Sequence, residues 1–524
     1  MFGEYIMTNS TFLKSTVSVT LSLAMLACGD EPREDDMDTT ATSGPVTITA
    51  TDDGDDDGAD SSDGADTAGM VTEKLDIGGT GGMGLNCTGD NTCSQIDLVF
   101  VIDNSGTMGE EQTNLAANFA PLVDKLLALE DDDGNPVNPD VNIMVTTSDF
   151  GHPLCTDFQK PDYTPRQGAP VYQGCNARIN RFTGLDPQDP LVIEEACQTH
   201  CPVDIAPGNH FIHFDNEDSN VPGDDVGAAL SCIGPQGIDG CGYEAPLETM
   251  LQAINEDACW NNPDQDRCDN DPEWENVETG FLRPDAILAI ALITDEMDCS
   301  VKSPNGYSWF TDPRETTFWN MNPALELEQA TSAVCWNAGI DCIDNNGDGV
   351  YESCESKPND VLHDVDRYIQ YLDYLTEDKG KEVIMLGIVG IPEVTAHNDK
   401  APFEPTEGGI DALVYRDWND GPYDGTPTGG DLLPDDVAAG VTVEQKRFEF
   451  GEIGPGCTGQ DGMGGFTGQA IPPVRIKEVC QSLDGTDENG DPEIRCCMES
   501  ICDTDYSDAV SCLTGIIDKV IITG

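Results

Sequence analysis

The chain has 524 residues, of which 38% are hydrophobic, and its 99 acidic and 24 basic residues give a net charge of −75. This excess of negative charge argues against nucleic acid as a partner, because a protein that binds phosphates needs a basic surface to displace their counterions. It equally argues against direct attraction to an anionic membrane. The length provides enough apolar residues for a core, so disorder throughout the chain is excluded.

The N-terminal region has the pattern of an export signal. Lys14 precedes an apolar run, residues 17–27, that is too short to span a membrane. Residues 23–28 resemble the lipobox of bacterial lipoproteins, in which the cysteine is diacylated and becomes the mature N-terminus. The resemblance implies a signal peptide over residues 1–27 and lipidation of Cys28, with an anchor in the outer membrane or at the cell surface. An ordinary signal peptide is the alternative.

Cysteine usage and the next segment agree with export. Without Cys28, twenty of the 21 cysteines remain, enough for up to ten disulfides, which form in oxidising compartments. Residues 28–95 are rich in Asp and Gly and contain few large apolar residues. Such a composition cannot bury a core and repels itself, so we expect a disordered acidic tether.

From residue 96 the pattern alternates between strands and helices. Strands are predicted at 96–102, 141–145, 286–293 and 383–389, and amphipathic helices around 115–126, 362–372 and 510–520. The run 286–293 is apolar at every position, which is typical of a central parallel strand covered on both faces. The alternation predicts an α/β fold with a doubly wound, mostly parallel, Rossmann-like sheet.

Long stretches rich in Cys, Pro and Gly separate these elements. They lie near 152–222, 256–282, 298–360 and 396–475. Loops of such length ordinarily argue against a compact domain. Disulfides can hold segments that have little core of their own, so we predict one α/β domain over residues 96–524 with disulfide-rich insertions.

Polar residues collect where two predicted strands end. Asp103, Ser105 and Thr107 follow the first strand, and Asp295 follows the strand 286–293. In doubly wound sheets, ligands bind at the carboxyl ends of the strands. Carboxylates and hydroxyls are the oxygen ligands that Mg²⁺, Mn²⁺ and Ca²⁺ prefer, so a divalent-cation site is predicted. The alternative is that the first three residues cap the following helix.

This pattern resembles the metal-ion-dependent adhesion site of von Willebrand factor type A (VWA) domains, whose motif is Asp-x-Ser-x-Ser. Thr107 takes the place of the last serine. Residues 240–248 and 294–300 further resemble a cysteine-rich group of VWA lipoproteins from myxobacteria. The resemblance implies that Ser105 and Thr107 bind the metal directly and that Asp295 acts through water. It also implies an open coordination position that accepts a carboxylate of a partner protein.

Two more residues are candidate ligands of the same ion. VWA domains supply a threonine from a loop before a helix, but the matching residues 240–247 contain none. Glu244 is the candidate to replace that threonine with a charged ligand. Asp149 follows the second strand and is predicted to point to the same edge of the sheet, either as a ligand or as a turn residue.

A second cation site is predicted in the insertion 298–360. Residues 344–355 match the calcium loop of an EF-hand at positions 1, 3, 5, 6, 9 and 12. The predicted ligands are Asp344, Asn346, Asp348, Val350, Glu352 and Glu355. Lys357-Pro358 prevents a following helix, so we expect an isolated calcium loop closed by a Cys342–Cys354 disulfide. A hydrophilic disulfide loop without calcium is the alternative.

The sequence offers little support for catalysis. It contains no His-Glu-x-x-His motif, no Gly-x-Ser-x-Gly elbow and no phosphate-binding loop, so we do not expect an enzyme. We expect a membrane-anchored lipoprotein whose VWA-like domain binds a divalent cation and mediates metal-dependent adhesion to a protein or to the extracellular matrix. Two alternatives stay open: a calcium- and disulfide-stabilised structural envelope protein without a partner at the site, and a hydrolase housed in the insertions.

Overall fold

The computed structural model describes residues 95–523 except for 131–133, 157–158, 185–190, 216–217, 266–267, 269–271, 275–276, 278, 427–428, 461–464, 487–489 and 491. The predicted signal peptide, the lipidation site Cys28 and the acidic tether up to residue 94 lie outside the described residues. Among the described residues, no helix combines the length and the hydrophobicity needed to cross a bilayer.

A six-stranded sheet lies at the centre of the fold. Its strands are β1 (Gln95–Ile102), β2 (Asp140–Thr147), β3 (Ile212–Phe214), β4 (Ile287–Ile293), β5 (Val383–Val389) and β6 (Cys496–Ser500). Their spatial order is β6-β5-β4-β1-β2-β3, with β3 antiparallel to β2 and all other neighbours parallel. The four strands that the sequence predicts are confirmed, and the fold is a mixed α/β structure with a mostly parallel sheet.

Six helices pack against this sheet. They are α1 (Gly109–Leu127), α2 (Val226–Ile233), α3 (Pro246–Ala253), α4 (Asp366–Asp373), α5 (Val474–Gln481) and α6 (Ser507–Thr523). Leu98 and Phe100 of β1 share one hydrophobic cluster with α1, α2 and α6. Val99 and Val101 share another with α3, α4 and α5. Successive side chains of a strand point to opposite faces, so helices on both faces require strands that are apolar throughout.

The remaining elements are short. Helices occur at Glu195–Gln198, Ser308–Thr311, Ala333–Gly339, Pro434–Ala439 and Val443–Phe450. Two-stranded antiparallel pairs join Asn320–Asn322 with Leu327–Gln329, Ile340–Ile343 with Ser353–Ser356, Val394–His397 with Pro405–Gly408, Cys457–Gln460 with Phe466–Ala470, and Gly485–Thr486 with Pro492–Glu493.

The insertions have a hydrophobic core of their own. Trp336, Val361, Trp418 and Ile453 belong to a third cluster of buried apolar residues drawn from the two later insertions and from the segments that flank them. The expectation that these segments have little core is therefore corrected. Their apolar residues are scattered over some 180 positions, so no periodic pattern in the sequence reveals the cluster.

Disulfides close loops within the insertions and join insertions to the segments around them. The described residues contain nine: Cys155–Cys241, Cys175–Cys197, Cys201–Cys232, Cys259–Cys268, Cys299–Cys335, Cys342–Cys354, Cys457–Cys502, Cys480–Cys496 and Cys497–Cys512. The predicted bridge between Cys342 and Cys354 is confirmed. Two adjacent residues of β6 are bridged to different helices, Cys496 to α5 and Cys497 to α6, and these helices lie on opposite faces of the sheet.

A buried ion pair links helix α5 to Asp298, which follows β4 and also contacts the start of α3. Arg475 of α5 contacts Asp298 at 2.9 Å, and the two side chains are 3% and 0% exposed. The Asp298 carboxylate also accepts hydrogen bonds from the Leu247 N–H at the start of α3 and from the Ser300 hydroxyl. Removal of one partner of such a pair leaves an uncompensated buried charge.

We predict that Arg475→Ala lowers the free energy of unfolding by roughly 3–5 kcal/mol, because Asp298 is then buried without a cation. Urea unfolding of the oxidised protein measures the change. The control is Arg314→Ala, which removes an ion pair whose arginine side chain is 86% exposed and should leave stability unchanged. Equal effects of the two substitutions would contradict the prediction.

Candidate metal centre

The register of the sheet brings the predicted site residues together. Ile102, the last residue of β1, lies opposite Ile293, the last residue of β4. The next residues therefore meet at one edge: the Asp103 N–H donates to the Ile293 carbonyl at 2.9 Å, and the Thr294 hydroxyl donates to Asp103 Oδ2 at 2.5 Å. We call the edge formed by residues 103–107, 148–149, 244 and 294–296 the rim.

The Asp103–Thr107 turn directs hydroxyls and carboxylates to the same place. Asp103 Oδ1 accepts the Ser105 N–H at 2.7 Å, and the Ser105 and Thr107 hydroxyl oxygens are 3.3 Å apart. The Thr107 hydroxyl also bonds to the Asp295 carboxylate. Met108 precedes α1 and no side chain caps that helix there, so the helix-cap alternative for the motif is not observed.

Glu244 reaches the rim from the loop before α3. Its Oε2 accepts the Ser148 hydroxyl at 2.6 Å. Glu244 is 0% exposed, so water does not reach its carboxyl group, and its Oε1 has no hydrogen-bond partner. A buried carboxylate oxygen without a donor is costly, so this atom has the property expected of a cation ligand.

Asp149 also lies at the rim, but the protein itself satisfies its carboxylate. Oδ2 accepts hydrogen bonds from the Tyr163 hydroxyl at 2.6 Å, from the Gln159 amide at 2.9 Å and from the Cys241 N–H at 3.1 Å. Oδ1 accepts the Gly151 N–H at 2.8 Å. This network favours the role of Asp149 in shaping the loops over the predicted ligand role.

Two acidic residues that the sequence did not single out as ligands are also found here, Glu296 within the rim and Glu111 beside it. Glu296 follows Asp295, and burial together with Asp295 and Asp103 raises the pKa of its carboxyl well above the usual range. Glu111, in the first turn of α1, is buried with an unpartnered Oε2, and burial and Asp295 raise its pKa to about 8. An acidic residue in a first helical turn is common for electrostatic reasons alone, so its position gave no signal.

The carboxyl groups of the rim are unfavourable to one another. Burial and the Asp295 charge raise the pKa of Asp103 to about 7, and burial raises that of Asp295 to about 6. Burial, Asp103 and Asp149 raise the pKa of Glu244 well above its usual range. A cation among these groups would replace mutual repulsion with attraction, and the oxygen-only donor set suits a hard divalent ion.

Closely spaced cysteines elsewhere do not provide rival metal sites. Among the described residues, three groups of His, Cys, Asp or Glu have ligand atoms within 4.8 Å of one another: Cys175 with Cys197 and Cys201, Cys201 with Asp204 and Cys232, and Cys497 with Glu499 and Cys512. All their cysteines form disulfides and offer no thiolate. Within the described residues the rim carboxylates form no such group, so a cation at the rim would also need hydroxyl ligands.

The predicted calcium loop is the turn of an antiparallel pair, not part of a helix-loop-helix. Asp344 accepts the N–H groups of Asn346, Gly347 and Gly349 at 3.1, 2.6 and 3.1 Å, and these bonds lower the pKa of its carboxyl. Glu352 accepts the Asn345 N–H and the Asn346 amide.

The other end of the loop is more open. Glu355 is exposed and lies opposite Asp341 in the paired strands. The structure thus gathers Asp344, Asn346 and Glu352 at one end of the loop. Calcium binding by the loop stays a prediction.

Comparison with models of known protein families gives no match, and comparison with curated proteins gives none either.

We predict that without divalent cations the free energy of unfolding falls as pH rises from about 4 to about 8. The folded protein holds protons at Asp103, Asp295 and Glu111 up to a higher pH than the unfolded chain, whose carboxyls titrate near pH 4. That extra proton binding stabilises the fold at low pH and is lost as pH passes the raised pKa values. Thermal melts in chelator across this range measure the slope.

Asp103→Asn should make this slope shallower, and millimolar Mg²⁺ should do the same in the unmodified protein. The control is Asp312→Asn at a partly buried position away from the rim, which should leave the slope unchanged in this range because Arg314 lowers the pKa of Asp312 to about 2. An unchanged slope in Asp103→Asn would contradict the prediction.

We predict that the loop 344–355 binds Ca²⁺ with a Kd of roughly 10⁻⁴ to 10⁻³ M. Asp344→Ala should abolish this binding in a calcium titration followed by calorimetry, because it removes the first ligand and the acceptor of three loop N–H groups. Asp341→Ala in the adjacent strand is the control. Undiminished binding by the Asp344 variant would reject the calcium site.

Proposed function

We propose that this chain is an exported, lipid-anchored envelope protein whose VWA-like domain binds a divalent cation at the rim and uses it in adhesion to a protein or matrix ligand. The observation that carries the proposal is the buried, unpartnered Oε1 of Glu244, in a carboxyl group that is near enough to Asp103 and Asp149 for their charges to raise its pKa. Buried carboxylate oxygens without a donor, at an edge that also carries the Ser105 and Thr107 hydroxyls, have the chemistry of a hard-cation site.

The strand order supports the VWA-like, doubly wound part of the proposal. Along the sheet the chain order is 3-2-1-4-5-6, so its direction reverses between β1 and β4. Ligands of doubly wound sheets bind in the crevice at that reversal, outside the carboxyl ends of the strands. Asp103 follows β1 and Asp295 follows β4, so the candidate ligands lie at this point.

The hydrogen bonds at the rim suggest which residues would bind the ion directly and which through water. Ser105, Thr107 and Glu244 would bind it directly. Both Asp103 oxygens already accept hydrogen bonds, from the Ser105 N–H and from the Thr294 hydroxyl, which suits contact through water. A bound ion would supply a positive charge to which a carboxylate of a partner protein or matrix component can bind.

A structural role is the second candidate function. Seven of the nine disulfides of the described residues and the third hydrophobic cluster stabilise the insertions. The loop 344–355 is held to a neighbouring segment, where the Asp417 N–H donates to the Gly349 carbonyl at 2.8 Å. In this role cations and disulfides would maintain the fold of an envelope protein, and no partner would occupy the rim.

We predict that the immobilised protein retains a matrix or surface-protein ligand in Mg²⁺ or Mn²⁺ and releases it in chelator. Asp103→Ala should abolish retention without unfolding the protein, because it removes a carboxylate of the ion site. Asp344→Ala is the matched control, since it alters only the calcium loop. Retention that survives both the chelator and Asp103→Ala would reject adhesion through the metal, and a melting temperature that rises with calcium while nothing is retained would favour the structural role.

A further inference from the structure

One part of the β2–β3 connection contacts the loop that carries Glu244. We call residues 152–184, described except for 157–158, the clamp segment. Its Lys160 and Arg181 both pair with Asp239, at 3.3 and 3.2 Å, and the Asp239 side chain is fully buried. A buried carboxylate is costly without a cation beside it, so these two contacts fix the position of Asp239.

The next two residues of the loop are also held. The Gly240 N–H donates to the Asn104 carbonyl at 2.9 Å, and a Cβ at Gly240 would lie 2.5 Å from the Asn104 side chain, so only glycine fits this approach. Cys241 is bridged to Cys155 of the clamp segment, and its N–H donates to Asp149. Three consecutive residues shortly before Glu244 are therefore fastened.

Tyr163 of the clamp segment connects the Glu244 loop with the Asp103–Thr107 turn through hydrogen bonds. Its hydroxyl accepts a hydrogen bond from the Asn104 amide at 2.9 Å and donates one to Asp149 at 2.6 Å. Asn104 stands between Asp103 and Ser105 in the motif, and Asp149 in turn accepts the Cys241 N–H.

The Tyr163 side chain is itself held in place. The Arg181 guanidinium lies 5.0 Å from the centre of its ring. Burial and the Asp149 charge raise the pKa of Tyr163 far above its usual range, so the hydroxyl keeps the proton that it donates. One hydroxyl thus connects the motif with the loop of Glu244.

We propose that the clamp segment holds the Glu244 loop against the Asp103–Thr107 turn, and that Tyr163 is the positioning residue through which it sets the affinity of the rim for a divalent cation. The inference deepens the proposed function and rests on it, since it requires cation binding at the rim. Tyr163 would act without touching the ion. Residues that orient metal ligands typically change metal affinity by 10- to 100-fold when they are replaced.

The test is Mn²⁺ binding to the full chain, followed by electron paramagnetic resonance in an Asp344→Ala background so that the calcium loop does not contribute. Tyr163→Phe should weaken Mn²⁺ binding by about 10- to 100-fold and alter the resonance of the bound ion. The matched control is Tyr371→Phe, because the Tyr371 hydroxyl likewise accepts one hydrogen bond, from the Glu256 N–H, and donates one, to the Ile254 carbonyl, away from the rim. It should leave binding unchanged.

The melting temperature in chelator separates positioning from general destabilisation. We expect Tyr163→Phe and Tyr371→Phe to lower it by similar amounts while only the former changes Mn²⁺ affinity. Should Tyr163→Phe fail to fold, Lys160→Met offers a second variant, since it removes a contact to Asp239 and should also weaken Mn²⁺ binding.

If Tyr163→Phe binds Mn²⁺ with normal affinity while Asp103→Ala loses Mn²⁺ binding, the role of Tyr163 is overturned and the proposed function stands. Equal binding by Asp103→Ala and its parent would instead overturn the proposed function, and the inference with it.

Discussion

Parallel pairing of β1 with β4 in one register is the interaction on which the rim depends. Ile102 and Ile293 lie opposite each other, so both strands end at the same level and Asp103 meets Thr294. A slip by one residue would turn the buried side chains of either strand to the other face of the sheet. Two hydrophobic layers oppose such a slip. Apolar side chains that touch no candidate ligand therefore determine where the carboxylates stand.

The surroundings hold the rim in an arrangement that its own charges disfavour. Asp103, Glu244 and Glu296 have raised pKa values because they are buried and because other carboxylates are near. Clusters of this kind mark functional sites more often than structural ones, since structure alone gains nothing from them. The Cys155–Cys241 bridge and the Asp239 ion pairs lie close to Glu244 in the chain, where they hold the loop in place against repulsion between the rim carboxylates.

The sequence predicts those features that are local and fails at those that depend on contacts between distant segments. The four strands with long apolar runs were predictable, whereas β3 has three residues and β6 contains two cysteines and Glu499, so neither shows a strand pattern. Asp103 and Asp295 were predictable from their place after strands. Glu111 and Glu296 were not, because in a chain with 99 acidic residues only burial distinguishes one carboxylate from another. Tyr163 lies in an insertion without periodicity.

The two bridges of β6 link covalent chemistry to strand alignment. Cys496 and Cys497 are neighbours, yet one is joined to Cys480 on one face of the sheet and the other to Cys512 on the opposite face. Exchange of these partners would require the two cysteine side chains to change faces, which is a shift of β6 by one position along β5. During oxidative folding, the two correct bridges can therefore form together only when the edge strand β6 has its native alignment with β5. Once both have closed, β6 can pair with the sheet of another molecule only if α5 and α6 move with it.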